Sequence, residues 1–299
     1  MSESNVSQHD AVLYNREGSY IPRIGAVHDL CGYGKCSLGV AIPVLSAAGC
    51  DVCPVPTSLF SAHTRYPHFA MLDTTDFLTE YVDAWNTCPV ELDAVYSGFL
   101  GAPEQVAVIK RLYAENPGCL RVLDPVMGDG GEMYATYTPE LCEAMKGLVE
   151  GADILTPNLT EASILTGIPY TGQDIAPEEA ERIVDALIGM GAKNVVLKGI
   201  REKDENGEDV IVNYVAGEGQ PLTRVSHGLL PYMLHGTGDL YCSGLLAAVM
   251  AGKSLIEAVR FAGDFVVEAM EVSCDQPQYL ERGVSFEPVL YRVTDLLRK

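Results

Sequence analysis

Short apolar runs alternate along the chain with longer stretches in which apolar residues recur every three or four positions. The short runs cover residues 23–27, 51–56, 94–97, 120–124, 153–156 and 194–198 and end in or near glycine, proline or aspartate. Their near-continuous apolar character predicts strands buried on both faces. Helical period appears between them at residues 35–48, 75–86, 103–115, 139–150 and 177–189. Pro139 and Pro177 suit a first helical turn, where a missing N–H costs nothing, whereas Pro43 should kink or interrupt its helix. This alternation predicts an α/β fold with a mostly parallel central sheet flanked by helices.

After Gly199 the pattern changes to a charged turn, 201–208, and an alternating strand, 209–215, which predicts a small antiparallel hairpin at the sheet's edge. The last third returns to helical period at 240–251 and 255–272. Residues 58–69 mix aromatics and histidines without a clear period and predict a mobile loop over a ligand. With no internal repeat and no linker rich in Ser, Gly or Pro, the expectation is one domain over residues 21–299 behind a flexible tail, 1–20.

Composition narrows the partners. A chain of 299 residues, 47% of them hydrophobic, can bury a full core. A net charge of −21, from 41 acidic and 20 basic residues, argues against nucleic acid and anionic membrane, which need clustered Lys and Arg. Any anionic ligand must be held locally, by backbone N–H groups, a metal or single cations. Residues 1–10 are polar, lacking the basic and apolar regions of a signal peptide, and a cytoplasmic location is expected. Nine cysteines, an odd number in a long chain, read as reduced thiols. Cys50 and Cys53 form a C-x-x-C without the second pair that a zinc site needs.

The tetrapeptide Gly236-Thr237-Gly238-Asp239 precedes the apolar run 240–251. Two glycines let backbone approach a ligand closely, and the N–H groups of the following helix face whatever occupies the turn. A carboxylate there repels phosphate, so Asp239 reads as a proton acceptor beside transferred charge, with an Asp N-cap as the plainer alternative. In parallel sheets ligands lie beyond the carboxyl ends of strands, where Asp124-Pro125-Val126-Met127-Gly128-Asp129, Thr156-Pro157-Asn158-Leu159-Thr160-Glu161 and Lys198-Gly199 all fall. Asp124, Asn158 and Glu161 offer hard oxygens suited to magnesium. Asn158 to Glu161 also has the spacing of a helix capping box. Gly32-Tyr33-Gly34-Lys35-Cys36-Ser37 is neither a Walker loop nor a dinucleotide fingerprint, since Asp29, Cys36 and Ser37 occupy the positions those motifs require otherwise.

In this order, and together with Ser97-Gly98-Phe99-Leu100-Gly101, the motifs give a chain that resembles the pyridoxal kinase family of the ribokinase-like superfamily from about Ile24 to Leu297. The resemblance implies an ATP-dependent kinase that phosphorylates the 5′-hydroxymethyl group of pyridoxal, pyridoxine or pyridoxamine, in vitamin B6 salvage. It implies that Asp239 is the base and that Gly236, Thr237 and Gly238 stabilise the transferred charge. Nucleotide contacts fall on Asp124, Asp129, Tyr134, Asn158, Glu161 and Lys198, with Mg2+ near Asp124 and Glu161 and a monovalent cation such as K+ near Asp124 and Thr156. Substrate contacts fall on Asp29, Thr57, His63, Thr64 and Asp239, and a homodimer is implied.

Three positions depart from that family. Val27-His28-Asp29 stands where many members have a Ser-His pair, and Phe99 replaces a common tyrosine. Asp29 with the Gly32 to Ser37 turn is closer to hydroxymethylpyrimidine kinases of thiamin synthesis, which usually carry cysteine where Asp239 stands. That kinase is the first alternative reading; a non-catalytic vitamer- or nucleotide-binding regulator is the second.

Overall fold

The computed structural model describes residues 10–88 and 90–298. Its strands are β1 (Arg23–Cys31), β2 (Asp51–Phe60), β3 (Met71–Asp73), β4 (Ala94–Ser97), β5 (Leu120–Leu123), β6 (Gly128–Asp129), β7 (Glu132–Met133), β8 (Ile154–Leu155), β9 (Asn194–Lys203), β10 (Asp209–Gly217) and β11 (Thr223–Gly228). Its helices are α1 (Leu38–Ala47), α2 (Thr75–Asp83), α3 (Gln105–Glu115), α4 (Pro139–Lys146), α5 (Leu159–Thr166), α6 (Pro177–Gly189), α7 (Thr237–Met250), α8 (Leu255–Ser273), α9 (Tyr279–Arg282) and α10 (Tyr291–Asp295). Nine strands form one sheet in the order β11-β10-β9-β8-β5-β4-β1-β2-β3. From β9 through β2 every neighbouring pair is parallel, and antiparallel pairing is confined to the two ends.

Strand residues alternate between two apolar layers, as the period-two pleat requires. Ala94, Tyr96, Val122, Ile154 and Val196 pack with α1, α7 and α8 on one face. Val95, Leu123, Leu155, Val195 and Leu197 pack with α2 to α6 on the other. Cys50 joins the first layer and Cys53 lies against the second, so the C-x-x-C is split across the sheet and cannot chelate a metal.

All six predicted strands and seven helices are present, with three kinds of difference. Pro43 lies inside a continuous α1. The carbonyl it leaves without an N–H partner belongs to Gly39, which is exposed and open to water. Strand pairing extends into the expected loop: Ser58 to Phe60 belong to β2 and pair with β3, so the loop begins at Ser61. The edge hairpin of β9 and β10 forms, but β11 pairs outside it and becomes the edge.

Residues 10–20 are tied down rather than free. Asp10 accepts from the Ser254 hydroxyl and Ile256 N–H, Arg16 donates to the carbonyls of Ala48 and Gly49, and Tyr14 and Tyr20 both donate to Asp93. The expected tail is thus corrected over this stretch, and residues 1–9 lie outside the described residues. Among the described residues no helix is long and apolar enough to cross a membrane.

Candidate active site

The polar groups gather where the parallel strands end. Asp124 follows β5, Thr156 follows β8, Asn158 caps α5, Lys198 is on β9 and Asp239 lies in the first turn of α7. Gly236 is the N-cap of α7, at φ +83°. Asp239 is therefore the third helical residue and not the cap, and the helix begins at Thr237, ahead of the apolar run. A Cβ at position 236 would lie 1.9 Å from the Lys35 carbonyl oxygen. Only glycine lets the Gly32 to Ser37 turn pack this closely against α7.

Two bulges aim functional side chains. On β9, Lys198 and Gly199 together face the single residue Asn213 of β10, with Gly199 at φ +81° and its N–H donated to Asn213 Oδ1 at 3.1 Å. On β2, Thr57 and Ser58 together face Asp29 of β1. Bulges bend a strand and redirect its side chains, and they recur beside active sites.

Lys198 Nζ donates to Asp124 Oδ1 at 2.5 Å, and Thr156 Oγ1 donates to the same oxygen at 3.0 Å. Burial alone would lower the Lys198 pKa, but Asp124 and Glu161 outweigh it and hold the ammonium charged. Burial raises the Glu161 carboxyl well above the usual range, with Lys198 opposing and Asp124 adding to the shift. Two crowded carboxylates of this kind are hard donors whose repulsion a divalent cation relieves, so the pair fits magnesium held jointly with phosphate oxygens. Glu161 has a second duty. Its Oε2 accepts from Asn158 N–H at 2.7 Å while Asn158 Oδ1 accepts from Glu161 N–H at 2.9 Å, a complete capping box.

Burial raises the Asp239 carboxyl to about 7; the Ser37 N–H opposes this, Asp124 and Asp29 add to it, and Lys198 opposes it. Lys198 Nζ lies 4.0 Å from the point where Gly238 would carry a Cβ, so ammonium and helix start face one space. Tyr134 is exposed as a residue while its phenol is shielded, and its pKa is raised by that shielding and by the nearby Glu161, Asp129 and Asp239 carboxyls. Asp129 is exposed, on a two-strand hairpin of β6 and β7 whose turn glycines, Gly130 and Gly131, are at φ +61° and +87°. That hairpin was not anticipated, although a Gly-Gly pair is a hairpin signal.

On the substrate side, Asp29 is buried and its Oδ1 accepts from Ser37 Oγ at 2.5 Å. Thr57 is also buried, with its hydroxyl donated to the Phe99 carbonyl at 2.9 Å. His63 Nε2 lies 2.9 Å from the Glu281 carbonyl, and its ring packs on His235 with centroids 4.2 Å apart. This pins the loop after β2 to the C-terminal segment. Thr64 is exposed on that loop, apart from the buried cluster. Val27 is buried in the core, and His28 is fully buried beside Tyr96, its pKa lowered by burial to about 3.

Ser37 is the residue sequence reasoning missed. It adopts φ +49°, rare for a residue with a side chain, and presents its N–H to Asp239 and its hydroxyl to Asp29. The glycine turn opening a helix was the available signal; that it meets the Gly236 turn is a tertiary fact.

The sequence profile of the phosphomethylpyrimidine kinase family matches residues 42–284. A pyridoxine/pyridoxal/pyridoxamine kinase of Bordetella avium is 34% identical over 247 residues, 80% of this chain and 81% of that one. A Bacteroides thetaiotaomicron protein crystallised with pyridoxal, provisionally named a phosphomethylpyrimidine kinase, superposes with a TM-score of 0.85 at 34% identity over 92% of this chain and 96% of that one. The pyridoxal kinase of Lactobacillus plantarum superposes at 0.84 with 28% identity, over 93% and 98%.

Proposed function

Because the chain belongs to the pyridoxal kinase family, within the domain family named for phosphomethylpyrimidine kinase, we propose that Asp239 removes a proton from a vitamer alcohol as ATP delivers its terminal phosphoryl group. The function is that of a pyridoxal, pyridoxine and pyridoxamine kinase. The observation that carries the mechanism is a carboxylate raised to about 7 in the first turn of α7, beside unpaired helix N–H groups and the Lys198 ammonium.

A base works best with a pKa near the operating pH, and Asp239 meets that condition. Phosphoryl transfer asks a protein mainly to position groups and stabilise charge. The N–H groups at Gly236 to Gly238 and the Lys198 ammonium supply that stabilisation, held ready by the helix and by Asp124. Magnesium would be held by Asp124 and Glu161 and would supply further positive charge at the nucleotide phosphates, and a monovalent cation such as K+ would be held near Asp124 and Thr156. Asn158, Asp129 and Tyr134 are assigned to the nucleotide side and Asp29, Thr57 and His63 to the vitamer side, with Thr64 exposed on the loop outside the cluster. The His63 loop, pinned to His235 and Glu281, keeps water from the phosphoryl group.

A thiamin-precursor kinase is the second reading, supported by Asp29 and its turn. The test is ADP release by purified protein given pyridoxal, pyridoxamine, pyridoxine and hydroxymethylpyrimidine in competition. A vitamin B6 alcohol should show the higher kcat/KM, by a modest factor, because Val27 and Phe99 give no polar contact that rejects a similar flat alcohol. A clear preference for the pyrimidine reverses the substrate and leaves the base in place. No turnover of any alcohol favours the regulator reading.

A further inference from the structure

Beside Asp29 stand two thiols, Cys31 at the end of β1 and Cys36 in the turn that carries Ser37, for which phosphoryl transfer has no use. Asp29, Cys31 and Cys36 point one ligand atom each at a common space, all within 4.8 Å of one another. Asp29 and Cys31 are two residues apart on β1, so strand alternation sends both side chains the same way. Cys36 arrives from the turn that follows. Asp29 and Cys36 are buried and Cys31 is partly so.

The two oxygens of Asp29 are divided between partners. Oδ1 accepts from Ser37 Oγ at 2.5 Å, and Oδ2 takes the Cys31 thiol at 3.5 Å. A tetrahedral zinc ion, with Zn–S about 2.3 Å and Zn–O about 2.0 Å, sets an S···O edge of about 3.5 Å. The Asp29–Cys31 pair already has that spacing, and Ser37 stands where an outer hydroxyl orients a ligating carboxylate. Two sulfurs and one oxygen select a thiophilic ion over magnesium, which prefers oxygen donors alone.

We infer that Asp29, Cys31 and Cys36 form a zinc site with three protein ligands and a fourth position open to water, on the side of the pocket that faces Asp239. The carbonyl of Lys35, the neighbour of Cys36, packs directly against Gly236 at the start of the helix that carries Asp239, which fixes the site beside the base. On binding, the two thiols release their protons to solvent and bind as thiolates. Zinc there competes with the alcohol for the space next to Asp239; this consequence rests on the kinase reading, while the binding site itself does not.

Cobalt is the probe, added to reduced, full-length protein without nucleotide. One equivalent should bind with a thiolate-to-cobalt charge-transfer band and the intense visible absorption of a tetrahedral site, and zinc should displace it. Cys31→Ser and Cys36→Ser should each halve the charge-transfer intensity and weaken binding by roughly 100-fold or more, and Ser37→Ala by roughly 10- to 100-fold. Cys53→Ser, on the far face of the sheet from Cys50, should change nothing. A spectrum without a thiolate band overturns the site, as does a band that survives both Cys31→Ser and Cys36→Ser, which would move the metal to exposed Cys88 or Cys274. Zinc should raise the apparent KM for the alcohol in the wild type and not in Cys36→Ser; binding without that effect overturns the competition. The cobalt spectrum needs no turnover, so failure of the kinase assignment would leave it intact.

Discussion

Asp239 concentrates the chemistry in one carboxyl, and its environment makes it testable by pH. Asp239→Asn keeps the shape and removes the base, so kcat should fall roughly 10²- to 10⁴-fold with little change in nucleotide affinity. The acid limb of the wild-type kcat/KM profile should have an apparent pKa near 7, matching the carboxyl raised by burial. The stability sign is equally definite. A carboxyl raised in the folded state favours folding below its unfolded pKa, and that contribution disappears as pH rises through 7. Melting temperatures should therefore favour Asp239→Asn progressively from pH 5 to pH 8; a constant difference would deny the shift. The flanking glycines separate fold from catalysis. Gly236→Ala forces a left-handed backbone and meets the Lys35 carbonyl, costing at least about 1–2 kcal/mol in urea unfolding. Gly238→Ala meets only Lys198 Nζ, at 4.0 Å, and should keep the fold while slowing turnover.

At the scale of elements, the start of α5 performs two tasks with the same residues. Asn158 and Glu161 close a capping box, and Glu161 also faces Asp124 and Lys198. Glutamine serves a capping box as well as glutamate does. Glu161→Gln should accordingly retain the melting temperature while raising the magnesium concentration for half-maximal rate, as judged by metal titration and melting of one preparation. Unchanged magnesium dependence would confine Glu161 to the cap. The β9 bulge has a similar division: Gly199 makes the turn of backbone, and Lys198 is thereby aimed at Asp124.

For the whole molecule, the sheet ends on a side that invites a second copy. Leu30, Leu59 and Leu72 pair across β1, β2 and β3, forming an apolar row with exposures of 38%, 39% and 60%. Met71 alternates to the opposite face of the sheet, and β3 leaves an open strand edge beside the row. Unpaired edges and contiguous apolar patches mark association surfaces. We expect a homodimer through this face, seen by light scattering as twice 32.2 kDa, and Leu72→Lys should shift it to monomer. A wild-type monomer at micromolar concentration would remove the dimer from the account.

The alternation of apolar runs with helical period, by itself, determined the parallel sheet and its covering helices, because buried strands and amphipathic helices write their surroundings into local composition. Pro177 marked the start of α6 for the same local reason. The order of motifs pointed to the chemistry, since Asp124 follows a strand and Glu161 and the Gly236 to Asp239 turn open helices, whereas Lys198 proves to lie inside β9, at its bulge. Tertiary structure alone decided what touches across the chain. Ser37 meeting Asp239, and Gly236 against Lys35, join segments some 200 residues apart whose contact leaves no period in the sequence. The short strands β3, β6 and β7 exist because a partner supplies their hydrogen bonds, so two or three residues carry too little pattern to announce them. The Asp239 pKa belongs to that second category too, since burial and neighbouring charge set it, and both are properties of the assembled fold.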